Sequence, residues 1–356
     1  MHEPTIEGVL DLIRDPPAHD FDRVALDVFA FQFERNEPYR RFCEGRHATP
    51  GSIARWEDVP PLPTAAFKEA DLCCAEPLHV FRTSGTTEGV ERRGCHLLPD
   101  LDLYRASWPE PFRRALLPDR DRMLTFSLIP PWDEVPESSL SFMAREALAR
   151  FGSRGSRSFM DARGLDAAGL ANALARSAEE GEPVLLLATT LAADAFLEGL
   201  VTPVRLAPGS RIMETGGFKG TTRETSREVL HYFYESLLGV PPSHAVGEYG
   251  MTEMCSQLYE STLARALAEP SAPLTHLYLG PPWIRSRVLD PETLAPLPEG
   301  KPGLLAHFDL ANAWSVASLV TEDLGVAEEG GFRILGRAEG AELRGCSLTA
   351  EEFLPR

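Results

Sequence analysis

LDAAGLANALARSAEEGEPVLLLA, residues 165–188, reads as a helix over 165–180 followed by a buried strand over 183–188. The same alternation continues on both sides. Upstream, MLTFSLI (123–129) reads as a buried strand and SSLSFMAREALARFG (138–152) as a helix. Downstream, RIMET (211–215) is a short strand ending at Gly216-Gly217. Thr221-x-x-Glu224 then fits a capping box for a helix through Leu238, with Val229, Leu230, Phe233 and Leu237 facing inward. Alternating strands and helices across 123–250 predict an α/β fold, a mainly parallel sheet covered by helices.

The flanks differ from this core. Residues 5–45 read as helical, with Ile6, Val9, Leu10 and Ile13 at helical spacing and a break at Pro16-Pro17. A second apolar series runs from Val24 to Phe31. EDVPPLPTAA (57–66) is a Pro-rich connection. After residue 270 the texture changes. THLYLG, RSRVL, GLLAHFDL and FRILGR are short strands between Pro/Gly turns, which predicts a β-rich subdomain.

Composition narrows the function. In 356 residues, 35 Lys and Arg stand against 53 Asp and Glu, a net charge of −18. That acidity argues against general nucleic-acid binding, which draws on basic patches. No apolar run is long enough for a membrane span, and the N-terminus lacks the basic start of a secretory signal. The six cysteines do not read as a disulfide framework in a chain this long, so a reduced, cytoplasmic protein is expected. Only Lys68, Lys219 and Lys301 are lysines, so a reaction needing one has few candidates. The histidines show no zinc-type spacing.

Three segments can carry chemistry. Thr83-Ser84-Gly85-Thr86-Thr87-Glu-Gly offers hydroxyl donors and backbone N–H groups that can wrap phosphate oxygens, without a Walker pattern. In Gly247-Glu248-Tyr249-Gly250-Met251-Thr252-Glu253, a flat Tyr beside a Gly gives a base a face to stack on. Thr252 can donate to phosphate, and Glu253 offers a hard oxygen to Mg²⁺. In Val320-Thr-Glu-Asp323-Leu-Gly, a strand-end carboxylate can accept two bonds from a ribose diol, and Arg337 follows fourteen residues on. Taken singly, the first segment reads as a surface turn, the second as a strand end with a buried Tyr and a solvated Glu, and the third as an ordinary hairpin.

In this order the three segments resemble the adenylate-forming superfamily of acyl-CoA synthetases and luciferase-like ligases. Thr83–Thr87 looks like its phosphate loop, Tyr249–Glu253 its adenine/Mg²⁺ motif, Thr321-Glu-Asp323 its ribose carboxylate, and Gly336-Arg337 the start of its hinge. The LuxE-type acyl-protein synthetase branch is more similar still. That likeness rests on Phe67-Lys68, His96 through Tyr104, and Ser138-Ser139-Leu140 with Met143. It rests also on Gly216-Gly-Phe-Lys-Gly220, Gln257, and Arg344-Gly-Cys346-Ser. The chain departs from the superfamily at Glu88, where the phosphate loop usually has Gly, and in lacking the Lys a few residues later.

The resemblance implies an adenylation domain over 1–335, with a helical start (1–55), an α/β core (56–268) and a β-rich subdomain (269–335). A hinge-like segment, 336–356, carries Cys346, and the superfamily's mobile C-terminal domain is expected to be absent. It implies Mg²⁺ at Glu253, and ATP on Thr83, Ser84, Gly85, Thr86, Thr87, Glu248, Tyr249, Gly250, Met251, Thr252, Asp323 and Arg337. Gly216 and Gly217 are expected at the acid substrate. Lys219 is read either as a contact to the substrate carboxylate or α-phosphate, or as a solvated lysine in a glycine loop. The implied reaction activates a carboxylic acid, a fatty acid among the candidates, as an acyl adenylate. The acyl group then passes to a thiol, Cys346 first and Cys255 next, for delivery to a partner protein such as a reductase or carrier. The alternatives are an acyl- or aryl-CoA ligase and a catalytically weak nucleotide- or acyl-binding module.

Overall fold

The structure, a computed structural model, describes residues 3–83, 93–216 and 226–338. They belong to two compact units. One comprises 1–108, 251–257 and 279–356, the other 109–250 and 258–278.

The second unit is built on the alternating pattern. Strands Leu124–Ser127, Val184–Thr189, Arg211–Thr215 and Ala245–Tyr249 lie side by side and parallel. A short parallel strand, Arg157–Ser158, flanks one edge, and the antiparallel Leu258–Glu260 flanks the other. Parallel strands covered on both faces need continuous apolar runs, and Val184 through Ala188 are buried without interruption. Helices Ser139–Phe151, Ala167–Glu180 and Thr190–Gly199 begin where Ser138, Asp166 and Thr189 each accept a backbone N–H with the side chain. Ala167–Glu180 stops at Gly181, whose φ of 69° suits glycine. Leu170, Leu174, Val184, Leu186, Leu197, Ile212, Leu230 and Tyr234 form the core between helices and sheet.

The helix expected through Leu238 starts at Arg227, capped by Ser226, and its last five residues take a π-helical form that ends at Gly239. The proposed Thr221–Glu224 box lies outside the described residues. Val229, expected inward, is 44% exposed, because the helix turns Leu230 rather than Val229 onto the core.

In the first unit, helices Pro4–Arg14, Phe21–Arg35 and Glu37–Glu44 form the N-terminal layer. Pro16–Ala18 is a single 3-10 turn at the expected break. Strands Ile284–Leu289, Pro302–Asp309, Ser318–Glu328 and Gly331–Arg337 make an antiparallel meander. The Pro-rich connection contributes a short strand, Leu62–Pro63, parallel to Leu319–Val320. His79–Arg82 and Cys95–Leu98 form a separate hairpin. Gln32 ties the helical layer to the segment after the second meander strand. Its Nε2 donates to the carbonyls of Asn312 and Ala313, both at 3.0 Å, and its Oε1 accepts from the Ala317 amide at 3.1 Å. Among the described residues no helix is long and apolar enough to cross a membrane.

Candidate active site

The motif 247–253 is shared between the units. Gly247–Gly250 closes the second unit's last parallel strand, and Met251–Gln257 belongs to the first unit.

In the first unit the hairpin Cys95–Leu98 and His79–Arg82 brings the two ends of the expected phosphate loop together. The Thr83 amide donates to the Gly94 carbonyl at 3.0 Å, and the Gly94 amide donates to Thr83 Oγ1 at 2.9 Å. Arg93 donates to the Thr83 carbonyl. Ser84, Gly85, Thr86 and Thr87, with Glu88, lie outside the described residues. At the paired ends, a methyl group on Gly94 would stand 3.2 Å from Thr83 Cγ2 and 3.7 Å from Glu253 Oε1. Thr83 and the Glu253 carboxylate, 170 residues apart, are therefore neighbours around one glycine.

The backbone of residues 252–256 is held by side chains. His96 Nδ1 lies 2.7 Å from the Thr252 carbonyl. A carbonyl only accepts, so Nδ1 carries the proton. Burial pushes the imidazole pKa down to about 4, against the pull of the Thr252 carbonyl and Asn312, and the ring is neutral at pH 7. Asn312 Nδ2 donates to the Glu253 carbonyl at 2.8 Å. Asp309 accepts from the amides of Cys255 (3.0 Å) and Ser256 (2.9 Å) and from Ser256 Oγ (2.6 Å). Ser256 Oγ in turn accepts from Trp283 Nε1 at 3.1 Å. Burial raises the Asp309 carboxyl to about 6 despite these donors. Cys255 is fully packed and its thiol pKa is pushed well above normal by burial and by the Asp309 charge, the opposite of a reactive cysteine.

Asp323 and Arg337 face each other across the last two meander strands, Nε to Oδ1 at 3.7 Å. Arg337 also donates to Glu322 at 2.6 Å. Asp323 keeps 15% of its side chain exposed and Arg337 43%, so both are reachable by a ligand.

In the second unit Glu248 and Tyr249 are buried. Thr215, one residue before Gly216, donates its hydroxyl to Glu248, and burial raises that carboxyl to about 7. Tyr249 meets Tyr278 edge to face at 6.1 Å. Gly216 has φ 76° and is exposed, and its carbonyl accepts from Thr190 Oγ1 at 3.1 Å. Gly217, Lys219 and Cys346 lie outside the described residues.

An ionic cluster beside this strand, its Glu214, Glu260 and His231 buried and its Arg227 and His276 partly exposed, lies outside the sequence-based expectations. Arg227 donates to both oxygens of Glu260 at 2.6 and 2.7 Å and to Glu214 at 2.7 Å. His231 meets Glu214 at 3.0 Å, and His276 meets Glu260 at 3.1 Å. Glu260 also accepts the Gly247 amide at 2.9 Å. Burial by itself would raise the Glu260 pKa, but the His276 and Arg227 bonds more than offset it and hold the carboxyl at about 2. The available signal was a carboxylate in each of two strand-like runs, RIMET and LYE, where burial demands a partner.

The model of the family "Acyl-protein synthetase, LuxE" matches residues 172–354. The long-chain-fatty-acid–luciferin-component ligase of Aliivibrio fischeri is 23% identical over 325 residues, 86% of this chain and 79% of that protein. Its Vibrio harveyi counterpart is 38% identical over 79 residues, 20% of this chain and 21% of that protein. Among solved structures, a 2-hydroxyisobutyryl-CoA ligase in complex with 2-HIB-AMP superposes with TM-score 0.62 at 17% identity, over 89% of this chain and 67% of its own. ATP-bound MatB from Rhodopseudomonas palustris superposes with TM-score 0.50 at 18% identity over 72% of this chain, which spans only 47% of MatB. These likenesses carry the fold, that of the adenylate-forming ligases, as the sequence resemblance implied. With the family's model matching more than half of its residues, the chain belongs to the LuxE acyl-protein synthetases.

Proposed function

We propose that the protein activates a carboxylic acid with ATP and transfers the acyl group to a thiol, its own Cys346, for delivery to a partner such as a reductase or carrier protein. In the first step a carboxylate oxygen bonds to the α-phosphorus, the bond to the β-phosphate oxygen breaks, and pyrophosphate leaves. In the second the thiolate sulfur bonds to the acyl carbon and AMP leaves with the electron pair. Both steps bring anions together, so the protein's main tasks are positioning and charge neutralisation.

The observation that carries this reading is the approach of Glu253 to the Thr83–Gly94 neck. It sets a carboxylate beside the ends of the segment read as the phosphate loop. Among the described residues no three His, Cys, Asp or Glu side chains gather into a closed metal cage. One carboxylate suits Mg²⁺, whose shell is otherwise completed by water and substrate phosphates. Mg²⁺ there would neutralise phosphate charge. Thr83 and Thr252 would orient phosphate oxygens, and Asp323 would hold the ribose diol, with Arg337 reaching ribose or phosphate. The adenine roles of Glu248, Tyr249, Gly250 and Met251, the substrate roles of Gly216, Gly217 and Lys219, and the phosphate roles of Ser84, Gly85, Thr86 and Thr87 belong to the same proposal.

Carboxylate-dependent exchange of labelled pyrophosphate into ATP is the test, run over fatty and aromatic acids. Mg²⁺-dependent exchange that is lost in Glu253→Ala is expected. No exchange with any acid overturns the catalytic reading in favour of a binding module. Cys346→Ser should retain exchange and lose hydroxylamine-sensitive acyl labelling. Wild-type protein that exchanges but never labels would place the acyl group on coenzyme A or a carrier thiol.

A further inference from the structure

We propose that Asn312 is a positioning residue for Glu253, acting with His96 to fix the peptide planes on either side of it. The inference rests on the reading of Glu253 as the metal-binding carboxylate. Asn312 sits in a 3-10 turn, Leu310–Asn312, whose first N–H groups are capped by Asp309 through the Ala311 amide at 3.1 Å. The turn is fully buried, so every polar group of the Asn312 amide must be used. Nδ2 donates to the Glu253 carbonyl at 2.8 Å and to the Val316 carbonyl at 2.7 Å, and Oδ1 accepts from Cys255 Sγ at 3.5 Å. The Asn312 carbonyl is itself held by Gln32.

Each of these bonds removes a freedom that Glu253 would otherwise have. The Thr252 carbonyl, bound by His96, fixes the peptide plane entering Glu253. The Glu253 carbonyl, bound by Asn312, fixes the plane leaving it. Asp309 grips the next amides, those of Cys255 and Ser256. Two planes fixed on either side of one Cα determine its φ and ψ, so the backbone of Glu253 is set. A carboxylate on a backbone so held meets a metal without first losing that freedom, which raises affinity through preorganisation.

The test uses the whole protein and two readouts. The first is Mn²⁺ binding in the presence of ATP, followed by electron paramagnetic resonance; the second is the Mg²⁺ concentration that half-saturates pyrophosphate exchange. Asn312→Asp keeps the shape and removes both donors. It should weaken Mn²⁺ binding and raise the Mg²⁺ requirement about ten-fold, the worth of one typical buried hydrogen bond, with the KM for the carboxylic acid unchanged. Should that variant not fold, His96 decides, because Asn at that position offers an N–H where Nδ1 stood. His96→Leu should show the same metal defect and His96→Asn should recover most of it.

Folded Asn312→Asp and His96→Leu proteins with wild-type metal affinity would overturn the inference, provided Glu253→Gln loses that affinity. If Glu253→Gln binds Mn²⁺ as the wild type does, the metal-site reading falls and the positioning role falls with it.

Discussion

Thr215 and Glu248 stand opposite each other on adjacent parallel strands, and the threonine hydroxyl donates to the carboxyl group. The pair lies inside the sheet, one residue from Gly216 on one strand and one from Tyr249 on the next. Burial dominates the Glu248 titration and lifts its pKa from 4.5 to about 7. A folded-state pKa above the unfolded one means the folded protein binds the extra proton. This contribution to stability is full below pH 4.5 and is lost as pH rises through about 7.

Glu248→Gln should remove that loss, since glutamine keeps an acceptor for Thr215 and does not titrate. The variant should gain on the wild type between pH 5 and pH 8 by an amount on the order of 2–3 kcal/mol. Urea midpoints at the two pH values measure it, and a difference that does not change with pH would refute the assignment.

Glu260 behaves in the opposite sense. Its pKa is held at about 2, so its contribution is present above pH 4.5 and fades as pH falls toward 2. Glu260→Gln leaves the partly exposed Arg227 with one carboxylate in place of two and should cost about 1.5–3 kcal/mol at pH 7, the worth of a charged hydrogen bond. Measured at pH 3, the gap between variant and wild type should have narrowed; an equal or wider gap would contradict the ionic account.

Gly247 has neighbours where a side chain would go. A Cβ there would lie 2.2 Å from the Tyr278 hydroxyl and 3.0 Å from Arg227 Nη2. Gly247→Ala should therefore destabilise by about 1–3 kcal/mol through overpacking. Adding Tyr278→Phe removes the nearest atom, and the double variant should recover part of the loss in a thermal melt. Strictly additive losses would show that the hydroxyl is not the obstacle.

Asp323 keeps only 15% of its side chain exposed and faces Arg337. With a ribose diol on its carboxylate, Asp323→Ala should raise the KM for ATP about ten- to hundred-fold while the KM for the acid stays put. An unchanged ATP requirement would remove Asp323 from the nucleotide.

The sequence was legible where periodicity and turn chemistry act locally. The run at 183–188 is the strand Val184–Thr189, and RIMET is Arg211–Thr215 with its end at Gly216. Of the late runs, RSRVL, GLLAHFDL and FRILGR lie in meander strands, whereas THLYLG holds only the short strand Tyr278–Leu279 outside the meander, and the meander's long strand Ser318–Glu328 is not among the expected ones. Thr83 and Glu253 stand out locally by residue type, and the structure brings them to either side of Gly94; their roles at phosphate and metal belong to the proposal. What the sequence hid were partners at long range. Asn312, Asp309 and Arg227 sit in unremarkable contexts and acquire roles only when folding sets them against residues 252–256 or 260. Val229 was misjudged for a related reason. Its helix starts at Arg227 after the Ser226 cap, and the turn it makes from there faces Leu230 to the core.

The Gln32 bonds to Asn312, Ala313 and Ala317 set an order of events during synthesis. Gln32 leaves the ribosome some 280 residues before Asn312. At about 5–20 residues per second that interval is on the order of tens of seconds. Through all of it, the N-terminal helices must keep their inward faces, with Val9, Val28 and Phe29 fully or almost fully buried at the end, out of contact with other hydrophobic surface. The parallel strands from 124 to 249 have all emerged by then, whereas the first unit cannot close until its last meander strands appear. Yield of active protein should accordingly depend more on temperature and chaperone supply than the stability of the finished fold would suggest.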